Sequence, residues 1–462
     1  MTNSVNTREI VLDLLMEVTR DKRPSHLVLG QMLAKYQYLE KQERTFISRL
    51  FKGTLEMLLR LDHCIGQFST VKVSKMKPMI RNILRMSVYQ ILYMDHVPDS
   101  AACNEAVKLS GRRGFKNLKG FVNGVLRNVS RNKESLTWPD EKQTPIKFMS
   151  VWYSAPDWLV QLWVDTYGLE TARTMLEDSL KEHPVTIRCV DEAHVEELVR
   201  ILEDEGVTVK RGSLLPYALK ISGFNYLEDL DSFNRGLFTV QDESSMLVAE
   251  MAGLKAGDTV IDVCAAPGGK SLHAAAKLKA LERQAAGEGQ KTAGRADGGT
   301  RGLACNTPPG HVYARDLTED KVSLIEQNIG RSGLDNVTAQ VMDATVLYPD
   351  DCRRADVVFA DLPCSGLGVI GRKADIKYNM SPEQMKDLTQ LQREILSVVC
   401  EYVVDGGTLM YSTCTVNPEE NVENARWFAE NYPFTLVESR QLLPGVHDCD
   451  GFFVAKFRRK EA

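Results

Sequence analysis

Apolar residues change their spacing along the chain, and each change marks a different architecture. Val11, Leu14, Leu15 and Val18 fall at i, i+3, i+4 and i+7, the spacing of one buried helical stripe. Ile80, Ile83, Leu84, Val88 and Ile91 repeat it just behind Pro78, a residue tolerated in a first helical turn. Pro98-Asp99-Ser100 ends that element and offers an N-cap for the next. Residues 1–135 therefore predict an all-α bundle, with a linker from Trp138-Pro139 to Thr144.

From 145 to 235 the pattern shortens: strands at 185–190, 207–209 and 218–221 surround a helical stretch at 195–202. This predicts a small α+β module, a form taken by RNA-binding sheets and by many inert domains alike. From 236 to 459 strands and helices alternate, the mark of an α/β, Rossmann-like, doubly wound sheet. Its strands are expected at 259–263, 311–314, 337–341, 356–360 and 408–412, with helices after Gly269, Thr318 and Pro382. Residues 282–309 are rich in Gly, Ala, Arg and Thr with almost no large apolar side chain. They read as a disordered surface insertion. The chain is thus multidomain.

Composition adds exclusions. At 462 residues the chain needs more than one core, and 43% hydrophobic with 26% charged residues is a globular balance. No run approaches the roughly 18 apolar residues of a membrane span, so no membrane partner is expected. Arg8, Glu9, Asp13 and Glu17 are foreign to a secretory h-region, so no signal peptide is expected. Ten cysteines without one Cys-x-x-Cys pair argue against a disulfide scaffold or a metal site and for a cytoplasmic protein. A net charge of −5 points to no nucleic acid, but its distribution does. Between 103 and 133 the single acid Glu105 stands against eight Lys and Arg. Arg112, Arg113, Lys116, Lys119 and Arg127 are candidate RNA-phosphate contacts, a solvated helical face being the plainer reading.

Candidate chemistry gathers at the ends of the expected strands, where doubly wound sheets bind their ligands. The first strand runs into Asp262-Val-Cys-Ala-Ala-Pro-Gly-Gly-Lys270. Gly268 and Gly269 permit close backbone approach, and the following helix start suits a carboxylate or phosphate. Asp316 ends the second strand with Thr318 as N-cap, and Asp343 closes the third. Asp316 lies farther from the glycine loop than the about 20 residues usual for a ribose-binding acid, and removing the insertion restores that spacing. Neither Gly-x-Gly-x-x-Gly nor Walker A spacing is present, which disfavours a dinucleotide oxidoreductase and an ATPase.

The fourth strand ends in Asp361-Leu-Pro-Cys-Ser-Gly366 and the fifth in Tyr411-Ser-Thr-Cys414-Thr. One buried cysteine is ordinarily a small hydrophobe, whereas two at adjacent strand ends, one behind Asp-x-Pro, suit covalent chemistry on a pyrimidine. Carbon 5 of cytosine is a poor nucleophile until a thiolate adds to carbon 6. An acid such as Asp361 can assist at ring N3, and a second acid–base group can help expel the thiol after methyl transfer. These residues alone leave open which cysteine attacks.

The segments 262–270, 361–366 and Ser-Thr-Cys-Thr-Val-Asn-Pro-Glu-Glu-Asn (412–421) resemble the motifs of the NOL1/NOP2/Sun family of RNA cytosine-5 methyltransferases. Gln241-Asp-Glu-Ser-Ser245, Leu443-Pro-Gly445 and Asp450-Gly-Phe-Phe453 are also similar to family landmarks. The first third resembles a NusB-like RNA-binding domain, closest over 106–131, which marks the Sun/Fmu branch. The middle module is similar to the family's RNA-recognition-like domain. The resemblance implies S-adenosylmethionine (SAM) as cofactor, bound by Cys264, Ala265, Ala266, Pro267, Gly268, Gly269 and Lys270, with Asp316 at the ribose, Asp343 at the adenine, and Asp361 between cofactor and base. It implies Cys414 as nucleophile, Cys364 in product release, and 16S rRNA, naked or in early assembly, as partner with no obligate protein. For this branch the resemblance implies an activity of the cytosine-967 type. A non-catalytic antitermination or ribosome-assembly factor is the alternative. Three departures stand out: the long 282–309 segment, Ala374 where the family carries proline, and Arg188 near a missing asparagine.

Overall fold

The computed structural model describes residues 6–293 and 308–461. The chain divides into two compact units: Met1–Lys181 together with Ile370–Met380, and Glu182–Val369 together with Ser381–Ala462.

The first unit is helical throughout. Helices Thr7–Thr19, Ser25–Lys35, Lys41–Glu56, Leu58–Phe68, Pro78–Tyr93, Asp99–Arg112 and Lys119–Arg131 are followed by Pro145–Trp152, Asp157–Tyr167 and Leu169–Asp178. Pro78–Tyr93 is the central helix. Its apolar stripe is fully covered, and so are Asn82, Arg85, Ser87 and Gln90. Arg85 is satisfied by a two-pronged bond to Asp62 at 2.7 and 2.6 Å, the pairing a buried guanidinium needs. The helical period persists past 145, where the sequence suggested a change. Trp163, Leu159, Met175 and Leu176 bury an ordinary helical face there, and the first strand starts only at Val185. Residues 370–380 also belong to this unit. Lys377 donates to the Glu56 carbonyl at 2.9 Å, Tyr378 to the Glu56 and Ser154 carbonyls at 2.9 and 3.0 Å, and Ser25 bonds to Asp375. Ala374 is buried against the helical core, so its small side chain serves packing there.

The second unit holds two sheets. Strands β1 (Val185–Cys189), β2 (Thr208–Arg211), β3 (Ala218–Ser222) and β4 (Phe238–Val240) form an antiparallel sheet in the order β2-β3-β1-β4. Helix Val195–Asp204 covers it with Leu198 and Leu202. Strand β4 lies beyond 235, the end expected for this module, and pairs Ile187 with Val240.

Strands β5 (Thr259–Asp262), β6 (His311–Asp316), β7 (Val337–Val341), β8 (Ala355–Asp361), β9 (Val403–Thr413), β10 (Phe434–Leu442) and β11 (Phe452–Arg459) form the larger sheet, in the order β10-β11-β9-β8-β5-β6-β7. The five from β5 to β9 are mutually parallel, and β11 and β10 add antiparallel at one edge. Alternate residues feed separate cores on the two faces: Val260, Val357, Phe359 and Met410 on one, Ile261, Val358, Ala360 and Leu409 on the other. That near-continuous apolar run is what a strand buried on both faces requires. Strand β9 starts well before 408, because Gly406 and Gly407 beside a register shift interrupt the alternation that betrays a strand. Strands β10 and β11 were not anticipated.

Helix Gly269–Ala293 extends into the expected insertion. Residues 282–293 are its last turns, built largely of Ala, Glu, Gln and Lys, which favour helix. Glu282 anchors the return by accepting the Gly310 N–H at 2.5 Å. Positions 294–307 of the expected insertion lie outside the described residues. Among the described residues no helix is long and apolar enough to cross a membrane.

Candidate active site

Strand β5 has β6 on one side and β8 on the other, so the chain reverses its winding there. A crevice opens at such a point beyond the carboxyl ends of the strands. The loop 263–268 turns there into the helix beginning at Gly269. Gly268 has φ of 104°, and a Cβ would meet Ile325 at 3.4 Å, so glycine alone suits the turn. Asp262 lies fully buried beneath the loop, takes a bond from Ser271 at 2.6 Å, and is pushed by burial up to about 7.

The acids expected to meet a cofactor stand at successive strand ends. Asp316 accepts from the Ala266 N–H at 3.0 Å, the Leu317 N–H at 2.8 Å and the Lys321 ammonium at 2.8 Å. It thus ties the glycine loop to β6 while one carboxylate lone pair remains. Asp343 is held by the Thr345 hydroxyl at 2.7 Å and its N–H at 2.9 Å, both on Oδ1, and these bonds lower its carboxyl below the usual range. Its Oδ2 carries no hydrogen bond among the described residues. Burial raises the Cys264 thiol, keeping it neutral.

Strands β8 and β9 run parallel with Asp361 opposite Ser412, and the Leu362 N–H continues the ladder to the Ser412 carbonyl at 3.0 Å. Their two exit loops therefore leave side by side. Cys364 lies three residues past Asp361 and Cys414 two past Ser412, and the two sulfurs come to 3.3 Å. Cys414 is partly exposed, not turned into the packed interior. Asp361 accepts from Ser412 at 2.7 Å and from the Lys270 ammonium at 2.7 Å. Burial alone would lower Lys270, but the charge and hydrogen bond of Asp361 outweigh it and hold the ammonium above its usual value. Cys414 adds to the field on Lys270, so one cation serves both the acid and the sulfur. The Cys364 thiol is raised well above its ordinary value, first by its bond to Cys414 and then by burial.

The loops are braced from behind. Gly368 donates to the Cys414 carbonyl at 3.1 Å, and a Cβ on Gly368 would collide with the Gly451 carbonyl. The Gly451 N–H returns a bond to Gly368 at 2.9 Å, and the Asp450 N–H donates to Asp242 at 3.1 Å, joining the 241–245 and 450–453 landmarks to the site. Glu420 receives four donors from the region of the cysteine loops. Glu420 stood inside a quoted motif without a role, and Gln392 went unnoticed. Its one signal was a polar residue at a core position of helix Pro382–Val399, seven residues after buried Met385.

The candidate RNA contacts separate. Arg113 is paired with Glu9 at 3.0 Å and Asp13 at 2.6 Å, and Arg112 stands 4.0 Å from Glu9, so acids distant in sequence partly neutralise both. Lys116 is exposed on a short turn. Lys119 and Arg127, with Lys108, Asn104 and Asn123, line one open cleft. Away from the crevice, Glu192, Glu250 and His273 form a metal-capable trio, where Lys277 already donates to Glu250 at 2.7 Å and Glu192 at 3.3 Å. The described cysteines are all free.

Three protein families match successive parts of the chain. Residues 5–131 match the NusB family, residues 155–226 the ferredoxin-like domain of RsmF/B-like methyltransferases, and residues 293–458 the 16S rRNA methyltransferase RsmB/F family. The probable ribosomal RNA small subunit methyltransferase B of Bacillus subtilis (strain 168) is 33% identical over 480 residues, covering 98% of this chain and 99% of its own. The crystal structure of PH0851 superposes with a TM-score of 0.78 at 25% identity over 99% of both chains. NSun6 from Pyrococcus horikoshii, solved with SFG, an analogue of SAM, shares the fold at a TM-score of 0.56 and 21% identity, over 66% of this chain and 99% of its own.

Proposed function

Because the chain belongs to the ribosomal RNA small subunit methyltransferase B family, a SAM-dependent rRNA methyltransferase family, we propose that it methylates carbon 5 of one cytosine in 16S rRNA. Cys414 is the nucleophile, and the target is of the cytosine-967 type. The observation that carries this reading is the 3.3 Å approach of Cys364 and Cys414 beside the Lys270–Asp361 pair.

The crevice suits SAM. Residues 264–270 supply a glycine turn at a helix start for the carboxylate, Asp316 keeps a lone pair for a ribose hydroxyl, and the open oxygen of Asp343 suits an adenine amino group. When bound, the cofactor supplies an electrophilic methyl on sulfonium sulfur. Lys270, a fixed cation beside Cys414, favours the thiolate. That thiolate adds to carbon 6 of a cytosine brought out of its stack, while Asp361 with Lys270 holds a proton at N3, so carbon 5 becomes nucleophilic. After methylation the carbon-5 proton must leave and its electron pair expel Cys414. Once Cys414 is bonded to carbon 6, its hydrogen bond no longer raises Cys364, which gives its proton to water and, as a thiolate 3.3 Å away, takes the carbon-5 proton to become a thiol again. The exposed Lys119 and Arg127 bind RNA phosphates. The family assignment sets aside a non-catalytic factor.

RNA carrying 5-fluorocytidine tests the assignment, since fluorine cannot leave carbon 5 as a proton does and the adduct is trapped. The parent protein is expected to form a denaturation-resistant adduct with such RNA that Cys414→Ala does not. Methylation by Cys414→Ala at the parent rate would remove Cys414 from the mechanism.

A further inference from the structure

Glu420 lies in the turn between the Cys414 loop and the helix Val422–Asn431, and its side chain is wholly buried. A buried carboxylate is costly unless every oxygen is satisfied, and here all four partners are neutral donors. Oε2 accepts from the Ser365 N–H at 2.8 Å and from Gln392 Nε2 at 3.0 Å. Oε1 accepts from Asn417 Nδ2 at 3.1 Å and from the Ser365 hydroxyl. Ser365 is the residue after Cys364, and its hydroxyl also meets Thr415, the residue after Cys414, at 2.7 Å. The carboxylate therefore grips the chain one residue from Cys364 and, through the Ser365 hydroxyl, one residue from Cys414.

The supports behind Glu420 are as closely specified. Gln392 Nε2 also donates to the Pro363 carbonyl at 2.8 Å, and its Oε1 accepts from Asn424 at 2.8 Å. The Tyr411 hydroxyl donates to the Glu420 carbonyl. Residues on both sides of Cys364, Pro363 and Ser365, are thus fixed to a single buried network. No such grip is needed to hold a thiol in a core. It is what a group needs when it must reach a proton on a moving substrate, since reacting atoms have to be held to within a fraction of an ångström.

We infer that Glu420 is a positioning residue for product release, holding Ser365 and Thr415 so that Cys364 stays within reach of Cys414 and the carbon-5 proton. This rests on the reading of Cys364 given above. A glutamine at 420 replaces the carboxylate poorly: an NH2 at the Oε2 position faces two donors, the Ser365 N–H and Gln392 Nε2, and at the Oε1 position it faces Asn417 Nδ2 and forces the Ser365 hydroxyl to turn and accept.

The test uses full-length protein, transcribed 16S rRNA and SAM with a labelled methyl group. Glu420→Gln is expected to lower kcat roughly 10²-fold with KM for SAM unchanged, and to accumulate a methylated protein–RNA adduct that survives denaturant, as is expected of Cys364→Ala. Added to Cys364→Ala, it should change kcat no further. Ser365→Ala removes only the hydroxyl link and should show the same adduct to a smaller extent, and it decides the matter if Glu420→Gln does not fold. A merely structural role would lower Tm without producing adduct. Adduct from Cys364→Ala but from neither Glu420→Gln nor Ser365→Ala overturns the inference and leaves Cys364 in place. Adduct from none of the three overturns Cys364 and the inference together.

Discussion

The crevice of the larger sheet and the basic face of the helical unit are both dense in ionisable groups, and they hold them in opposite ways. In the crevice Asp262, Lys270 and Asp316 are buried or nearly so, and each has its partners within 3.0 Å. On the helical unit Lys116, Lys119 and Arg127 stand exposed, and among the described residues only Arg127 of the three is held, by Asn123 on its own helix at 3.0 Å. Bond making requires groups fixed before the substrate arrives, in surroundings that exclude competing water. Attraction to a polyanion requires only charge at the surface, summed over several loosely placed cations. Precision is concentrated in the crevice, where the proposed reaction makes and breaks covalent bonds.

The contrast predicts effects of very different size. Lys270→Met leaves Asp361 without its cation and Cys414 without a neighbouring positive charge. Methylation should fall roughly 10²- to 10³-fold with RNA affinity retained, as single-turnover assays and filter binding would show. A loss of RNA affinity with kcat intact would erase the distinction between the two regions. Lys119→Gln and Arg127→Gln should each weaken RNA binding by less than about tenfold, lower the slope of log affinity against log salt by about 1, and leave kcat at saturating RNA unchanged. Arg113→Gln should move that slope less than either, because Glu9 and Asp13 already engage its charge. An equal shift for all three would show that the ion pairs open on binding.

The smallest effects concern pH, and they separate the two units. Burial pushes His273, in the catalytic unit, down to about 3, with the nearby Arg188 charge assisting and Glu250 opposing. Between that value and its ordinary 6.5 the unfolded chain binds a proton the folded chain refuses. The catalytic unit should therefore lose stability as pH falls through that window. Burial likewise lowers Lys377, in the helical unit, from 10.5 to about 7. Between those values the unfolded chain keeps a proton the folded chain has released, so the helical unit should gain stability as pH rises from 7 toward 10.5. Neither slope can exceed about 1.4 kcal/mol per pH unit. Hydrogen exchange resolved by peptide would follow each unit, and Lys377→Met should flatten the alkaline trend alone.

Much of this molecule was legible from its residues. Helical spacing located the central helix at Pro78, and four of the five strands expected in the larger sheet lie within two residues of their observed bounds. The glycine loop, the three strand-end acids and both cysteines were readable because a doubly wound sheet always presents its strand ends to one crevice. Local spacing was silent where partners are remote. Strand β4 was missed because only pairing with β1 makes three residues a strand. Strand β10 was missed because its outward face is mostly polar and exposed. The helical character of 282–293 was hidden by two glycines that the rest of a long helix carries.

The sequence by itself determined which chemical groups exist and which strand ends carry them, because periodicity and motif are written in neighbouring residues. Only the tertiary structure decided that two sulfurs fifty positions apart meet at 3.3 Å, that Lys270 serves Asp361, that Arg113 is partly neutralised by the first helix, and that 370–380 belongs with the helices. Each of those facts depends on a distance between segments remote along the chain, and such distances are fixed only when buried polar groups find their partners across the fold.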